Sequence, residues 1–247
     1  MTTFRGSQKH LLNLMDEFGT HLPVFNDLFS GFAEIGGMDV CRPRSTEEPD
    51  EYTLRTFLQN TRLVDWYAHA KFDAWWVPEE YKNPTWDLLC TARVEGKRGL
   101  VLVEAKAHLS ELKEDGKELA SGASAQSQAN HNRIAECIAD ASHALDAALP
   151  GTVNLSVNSH YQLANRIASA WKLASCGLPV VLLYLGFTGD TYFEDYFRTD
   201  EEWQKTMQDH LAGVFPHECV NTPLEIEGTP LTILTRSLPI KTVSVKP

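Results

Sequence analysis

The chain has 247 residues, and its 43% hydrophobic content is enough for a sizeable core and too much for disorder. Its net charge of −11 excludes a broadly basic surface that coats nucleic acid. No apolar run approaches the length of a membrane span, and Met1-Thr2-Thr3-Phe4-Arg5 does not open an apolar leader, so a cytoplasmic protein without a membrane partner is expected.

The length suits a single domain over 1–247. The expected division is a core of about 51–187, an N-terminal helical addition over 1–50 and an acidic C-terminal extension over 188–247. The five cysteines (41, 90, 137, 176 and 219) form no C-x-x-C, which predicts neither a zinc site nor a disulfide framework. His217-Glu218-Cys219 and His131/Cys137/His143 lack ligand spacing and read as incidental.

In chain order, Ser7–Phe18 reads as a short helix. Ser7 is the expected N-cap, Leu11, Leu12, Leu14, Met15 and Phe18 form the apolar side, and Gly19 is the stop. Residues 21–50 carry three Pro and three Gly and read as irregular. Glu51–Ala70 reads as a helix through Leu54, Phe57, Leu58, Val64 and Ala68. Lys71–Val77, rich in aromatics, reads as a first strand, and 78–84 as a loop.

Trp86–Val94 and Leu100–Lys106 read as two strands joined by the turn Glu95-Gly96-Lys97-Arg98-Gly99. The second has apolar residues on both faces as far as Val103, the pattern of a doubly covered strand. Segment 116–128 then reads as a loop. Asn130–Leu149 reads as a helix with Ile134, Ile138, Ala141, Leu145 and Ala148 on one face.

Ser159–Ser175 is the clearest helix. Ser159-His160-Tyr161-Gln162 has the form of a capping box, and Leu163, Ile167, Ala170, Trp171 and Ala174 form a stripe. Gln162, Asn165, Arg166 and Lys172 lie off that stripe. Val180–Phe187 reads as a second doubly buried strand, Thr199–Leu211 as an acidic helix capped by Thr199, and Pro230–Leu238 as a late strand. Acidity concentrates between Asp190 and Glu227, where ten acids meet only Arg198 and Lys205, so a groove elsewhere can be neutral or basic.

The break in the Leu100–Lys106 pattern points to chemistry. Glu104 and Lys106 share the face just used by Leu100 and Leu102. Burying such charges costs several kcal/mol or so unless they are paired or bound to a metal. Folding the hairpin brings Asp87 opposite the region of Glu104 to Lys106. Two carboxylates then converge beside one ammonium, a donor set for a hard cation such as Mg²⁺. The ammonium can orient water or stabilise charge on a phosphate oxygen.

Asp87 at a strand start, followed by Glu104-Ala105-Lys106 on the next strand, resembles the PD-(D/E)XK nuclease superfamily, the restriction-endonuclease-like fold. Pro84 stands three residues before Asp87, where that family has Pro-Asp. The resemblance implies an α/β architecture with an αβββαβ core, a central mixed sheet flanked by helices. It implies a metal-dependent phosphodiester hydrolase using Mg²⁺ or Mn²⁺. Asp87, Glu104 and the Ala105 carbonyl would hold the ion, with Lys106 catalytic. A helix before the sheet can add an acid, for which Glu51 stands in a helical first turn, with Glu34 and Glu48 as competitors. The other reading of Glu51 is compensation of the helix dipole there.

Some branches of that family place a Gln from the later helix at the site. Gln162 is the matching position, and it also suits the cap. Arg166 stands where such branches have Tyr and suits a phosphate contact or a surface ion pair. The implied partner is nucleic acid, DNA ahead of RNA, with room for a homodimer or a protein partner. The alternative is a non-catalytic nuclease-fold protein acting as a binding module or complex subunit. A small-molecule metallohydrolase would call for His-rich ligands, which no spacing in the chain supplies.

Overall fold

The computed structural model describes residues 4–61, 66–78 and 83–240. Val64 of the expected helical stripe lies outside the described residues, as do 1–3 of the opening segment and 79–82 of the expected loop. From the N-terminus come α1 (Gly6–Asp16), α2 (Phe18–Asp27), β1 (Ala33–Glu34), β2 (Cys41–Arg42), β3 (Tyr52–Thr53), α3 (Leu54–Thr61) and α4 (Trp66–Trp75). Next are β4 (Thr85–Trp86), β5 (Leu88–Val94), β6 (Lys97–Lys106), α5 (Ala125–Ala148) and α6 (Tyr161–Ser175). The chain then continues through β7 (Val180–Thr188), α7 (Asp200–Leu211), β8 (Pro223–Ile226) and β9 (Thr229–Pro239).

The protein is α/β, with a mixed central sheet flanked by helices. The sheet runs β1, β5, β6, β7, β9, β8, with β2 also paired to β5. β5 and β6 are antiparallel, and β6, β7 and β9 are mutually parallel. Doubly covered strands explain the continuous apolar runs of β6 and β7. Leu100 and Leu102 face a cluster with α6 residues Leu163 and Ile167. Val101, Val103 and Ala105 face the other side, against Leu11, Leu14 and Phe25 of α1 and α2.

The β5–β6 hairpin turns tighter than expected. Val94 pairs with Lys97, so the turn is Glu95-Gly96 alone. Both residues have positive φ (48° and 77°), the type I′ geometry that follows the right-handed strand twist. The expected Trp86–Val94 strand is broken by a bend at Asp87: Trp86 pairs with Tyr52, and β5 begins at Leu88.

Several expected elements are corrected. Lys71–Val77 is not a strand: residues to Trp75 end α4, and buried Phe72, Trp75 and Trp76 follow helical spacing. The sheet edge beside β5 is held by β1 and β2 instead. The expected helix from Glu51 is β3 followed by α3 and α4. Ser7 lies inside α1, where its hydroxyl bonds Glu111 instead of capping. Gly19 does not end the helical region, because α2 runs through it to Asp27.

Further along, α5 starts at Ala125, earlier than expected, because Ser124 caps it by accepting from Ser127 N. Ala148 of its expected stripe is exposed. The segments before 51 and after 187 are woven into the sheet through β1, β2, β8 and β9. Cys41 and Cys90 oppose each other across β2 and β5 and form a disulfide, which their separation of 49 residues did not reveal. Among the described residues no helix is long and apolar enough to cross a membrane.

Candidate active site

The site forms where β5 begins and β6 runs on past it. Leu88 pairs with Val103, so Asp87 falls beside Glu104 as the chain bends away towards β4. Without a β5 partner there, Ala105 N donates to Asp87 Oδ2 at 2.7 Å. The N–H and C=O of one strand residue point to the same edge, so the Ala105 carbonyl faces the same gap.

Glu104 is buried on the α6 face of the sheet at 1% exposure and is bracketed by two cations. Lys106 Nζ donates to its Oε1 at 2.6 Å, and Arg166 Nε donates to its Oε2 at 2.7 Å. The Lys106 bond joins alternate residues of one strand, as shared facing requires. Arg166 reaches over from α6. It also donates from Nη2 to Thr85 O at 2.6 Å, and its guanidinium lies 4.2 Å from the Trp86 ring centroid.

Two of the off-stripe positions are therefore corrected: Arg166 and Asn165 are buried, because strands and loops cover that side of α6 as well. Arg166 makes an interior ion pair, not a surface one. Gln162 is half-buried in the first turn of α6. The capping box around it does not form. His160 enters the helix with left-handed backbone and no side-chain cap bond.

Glu51 precedes β3 and so does not serve a helix dipole. Its Oε2 accepts from Thr85 Oγ1 at 2.7 Å, and with Asp87 it lines a shallow pocket beside Gln8, Leu12, Pro43 and Pro49. Glu34 pairs with Arg93 near the hairpin turn, at the far end of β5. Glu48 pairs with Arg44 on the surface.

Electrostatics divides the two carboxylates. Burial, then the charge of Glu104, pushes Asp87 up to about 8, against the pull of Lys106 and the Ala105 N–H. Glu51 adds to the rise. Burial also works to raise Glu104, but Arg166 and then Lys106 overcome it and hold that carboxyl below its usual range. One acid thus keeps its proton near neutrality while its neighbour is ionised, the arrangement expected of interacting carboxylates.

Sequence reasoning missed two neighbours. Tyr184 stands directly opposite Glu104 in the β6–β7 register, with its hydroxyl buried and unpartnered. Burial and the Glu104 charge push that hydroxyl well above the usual tyrosine range. The Asn165 side-chain amide is likewise buried without a hydrogen bond. Tyr184 sits within a run that reads as ordinary core, and Asn165 lies off the apolar stripe with nothing in the sequence to show its burial, so only the fold identifies them.

Asp87→Asn should stabilise the protein in chelator-containing buffer. The unfolded carboxyl ionises at its ordinary 3.8 and the folded one at about 8, so stability falls as pH rises between those values. The Asn variant escapes that loss while still accepting from Ala105 N. Its advantage should be near zero at pH 4 and grow to about 2 kcal/mol by pH 8, less than the full shift because Asp87 is only half-buried. Glu104 acts in the opposite sense: its stabilisation is lost as pH falls below its ordinary 4.5, outside most of that window. Urea midpoints at pH 5, 6.5 and 8 check this. An advantage that does not grow with pH sinks the assignment of a proton-holding Asp87.

Compared with family models, curated proteins and solved structures, the chain matches none.

Proposed function

We propose that the chain is a metal-dependent nuclease of the restriction-endonuclease-like fold, hydrolysing phosphodiester bonds of nucleic acid, DNA ahead of RNA. The observation that carries this is the convergence of Asp87, Glu104 and Lys106 at the end of β6. The element order supports it. With α2, β3, α3, α4, β4 and α5 read as additions, α1, the antiparallel β1/β2, β5 and β6, then α6, then β7 parallel to β6, can be laid on the αβββαβ sequence of that fold.

The donor set fits a hard divalent cation, Mg²⁺ or Mn²⁺. Asp87, Glu104 and the Ala105 carbonyl would offer the oxygen ligands, and Asp87 keeps its proton because burial and the charge of Glu104 outweigh the pull of Lys106, a balance that a bound cation would reverse. Such an ion, when bound, supplies phosphate charge neutralisation and a more acidic water. Asp87 and Glu104 would hold it. Arg166 keeps Glu104 aimed from behind through its bonds to Glu104 and Thr85. Lys106, once it turns from Glu104, can direct its ammonium at a phosphate oxygen or a water from the same pocket.

A second reading, a non-catalytic binding module or complex subunit, draws on one observation: both Glu104 oxygens are already engaged by Lys106 and Arg166. One experiment separates the two. Mn²⁺ calorimetry on the parent and on Asp87→Ala is run beside a cleavage screen of single- and double-stranded DNA and RNA. Nuclease action requires Mn²⁺ binding that Asp87→Ala removes, together with cleavage of at least one substrate. Failure of both leaves the binding-module reading.

A further inference from the structure

Three ligand-type side chains from distant parts of the chain meet on the α6 side of the sheet. Glu114 comes from the segment after β6, His160 from the residue before α6, and His210 from the last turn of α7. Their ligand atoms all lie within 4.8 Å of one another. Backbone bonds fix the meeting. His160 N donates to Glu114 O at 2.7 Å, and Tyr161 N donates to Asp115 O at 3.1 Å. His160 holds φ 47°, uncommon for a residue with a Cβ, and this places its ring centroid 5.1 Å from that of His210.

His160 Nδ1 is buried without a hydrogen bond. His210 is 5% exposed. Buried polar groups are normally satisfied, so an orphaned ring nitrogen inside this cluster leaves a place for an occupant.

We propose that Glu114, His160 and His210 bind a divalent transition cation of the Zn²⁺ class. Two imidazoles and one carboxylate are ligands of that class, and three protein ligands leave a fourth position for water or substrate. Zn–N bonds of about 2.0–2.1 Å place tetrahedral ligand atoms about 3.4 Å apart. His160 Nε2 and Glu114 Oε1 are now 3.9 Å apart, and the Glu114 side chain, 70% exposed, can rotate to close the gap. The site differs in kind from the all-oxygen donor set around Asp87, and it does not depend on the nuclease reading.

The test titrates the full chain with Zn²⁺, and with Co²⁺ as a visible-absorption probe. One equivalent should bind to the parent and to Asp87→Ala alike. Affinity should fall at least about tenfold in Glu114→Ala and in His160→Asn, since even outer-shell changes cost that much. Neither variant empties the core, and Asn tolerates left-handed backbone. Zn²⁺ should also raise the melting temperature of the parent and not of these variants. No binding by the parent, equal binding by the variants, or binding lost in Asp87→Ala would each overturn the proposal.

Discussion

Replacing Arg166 by Ala should destabilise the protein by about 3 kcal/mol at pH 7, the lower part of the range for breaking a buried ion pair. The guanidinium is the partner of Glu104 Oε2, caps Thr85 O and covers the Trp86 ring. Its loss leaves Glu104 buried with Lys106 alone, and one acceptor orphaned. For a domain of this size that corresponds to a melting temperature lower by roughly 6–12 °C. Arg166→Lys should recover less than half, because an ammonium cannot reach Glu104 and Thr85 with the same planar fork. The loss should shrink as pH falls towards 5. Without Arg166 the Glu104 carboxyl rises from its depressed value and can take a proton, which removes the unpaired charge. Thermal unfolding at pH 5 and 7 measures both effects. A loss under about 1 kcal/mol at pH 7 would place Arg166 among surface-type pairs.

Arg166 also shows where sequence reasoning stops. The apolar stripe Leu163, Ile167, Ala170, Trp171 and Ala174 is legible, and all five are buried. The opposite side of α6 is buried too, which helical periodicity cannot state, since it separates faces without saying what covers each. Glu104 and Lys106 were legible for a different reason: two charges interrupt a strand that is otherwise apolar on both faces. The placement of Asp87 followed from hairpin register, and it survived a turn three residues shorter than expected. The first strand was not legible. β1 and β2 are two residues each, lie among Gly and Pro, and owe their strand character to pairing with β5. Aromatic residues 72–76 imitated that strand, because large rings suit both strands and buried helices. The β8–β9 hairpin carries a signal that was available: Glu227-Gly228, both at positive φ, repeats the Glu95-Gly96 turn. The Glu114/His160/His210 group had none, being assembled across 46 and 50 residues by tertiary packing.

Lys106→Ala should lower cleavage by on the order of a hundredfold or more while leaving Mn²⁺ binding intact or slightly stronger. The separation follows from the geometry. Lys106 neutralises Glu104 Oε1 but contributes no ligand oxygen, and Arg166 still pairs Oε2 after its removal. The fold should therefore lose less than with Arg166→Ala, because Arg166 acts on Glu104 more strongly than Lys106 does, and the cation would lose only a like-charged neighbour. Cleavage loses the group that can meet charge as it develops on the phosphate, at a position 5% exposed where water substitutes poorly. Glu104→Gln makes the contrast. Gln keeps one acceptor oxygen, turns an NH2 donor towards the other cation and no longer supplies a charged oxygen, so Mn²⁺ binding and cleavage should fall together. Calorimetry and single-turnover cleavage on the same preparations check both arms. A Lys106→Ala protein that cuts any nucleic acid as fast as the parent would remove Lys106 from the chemistry, and the proposed mechanism with it.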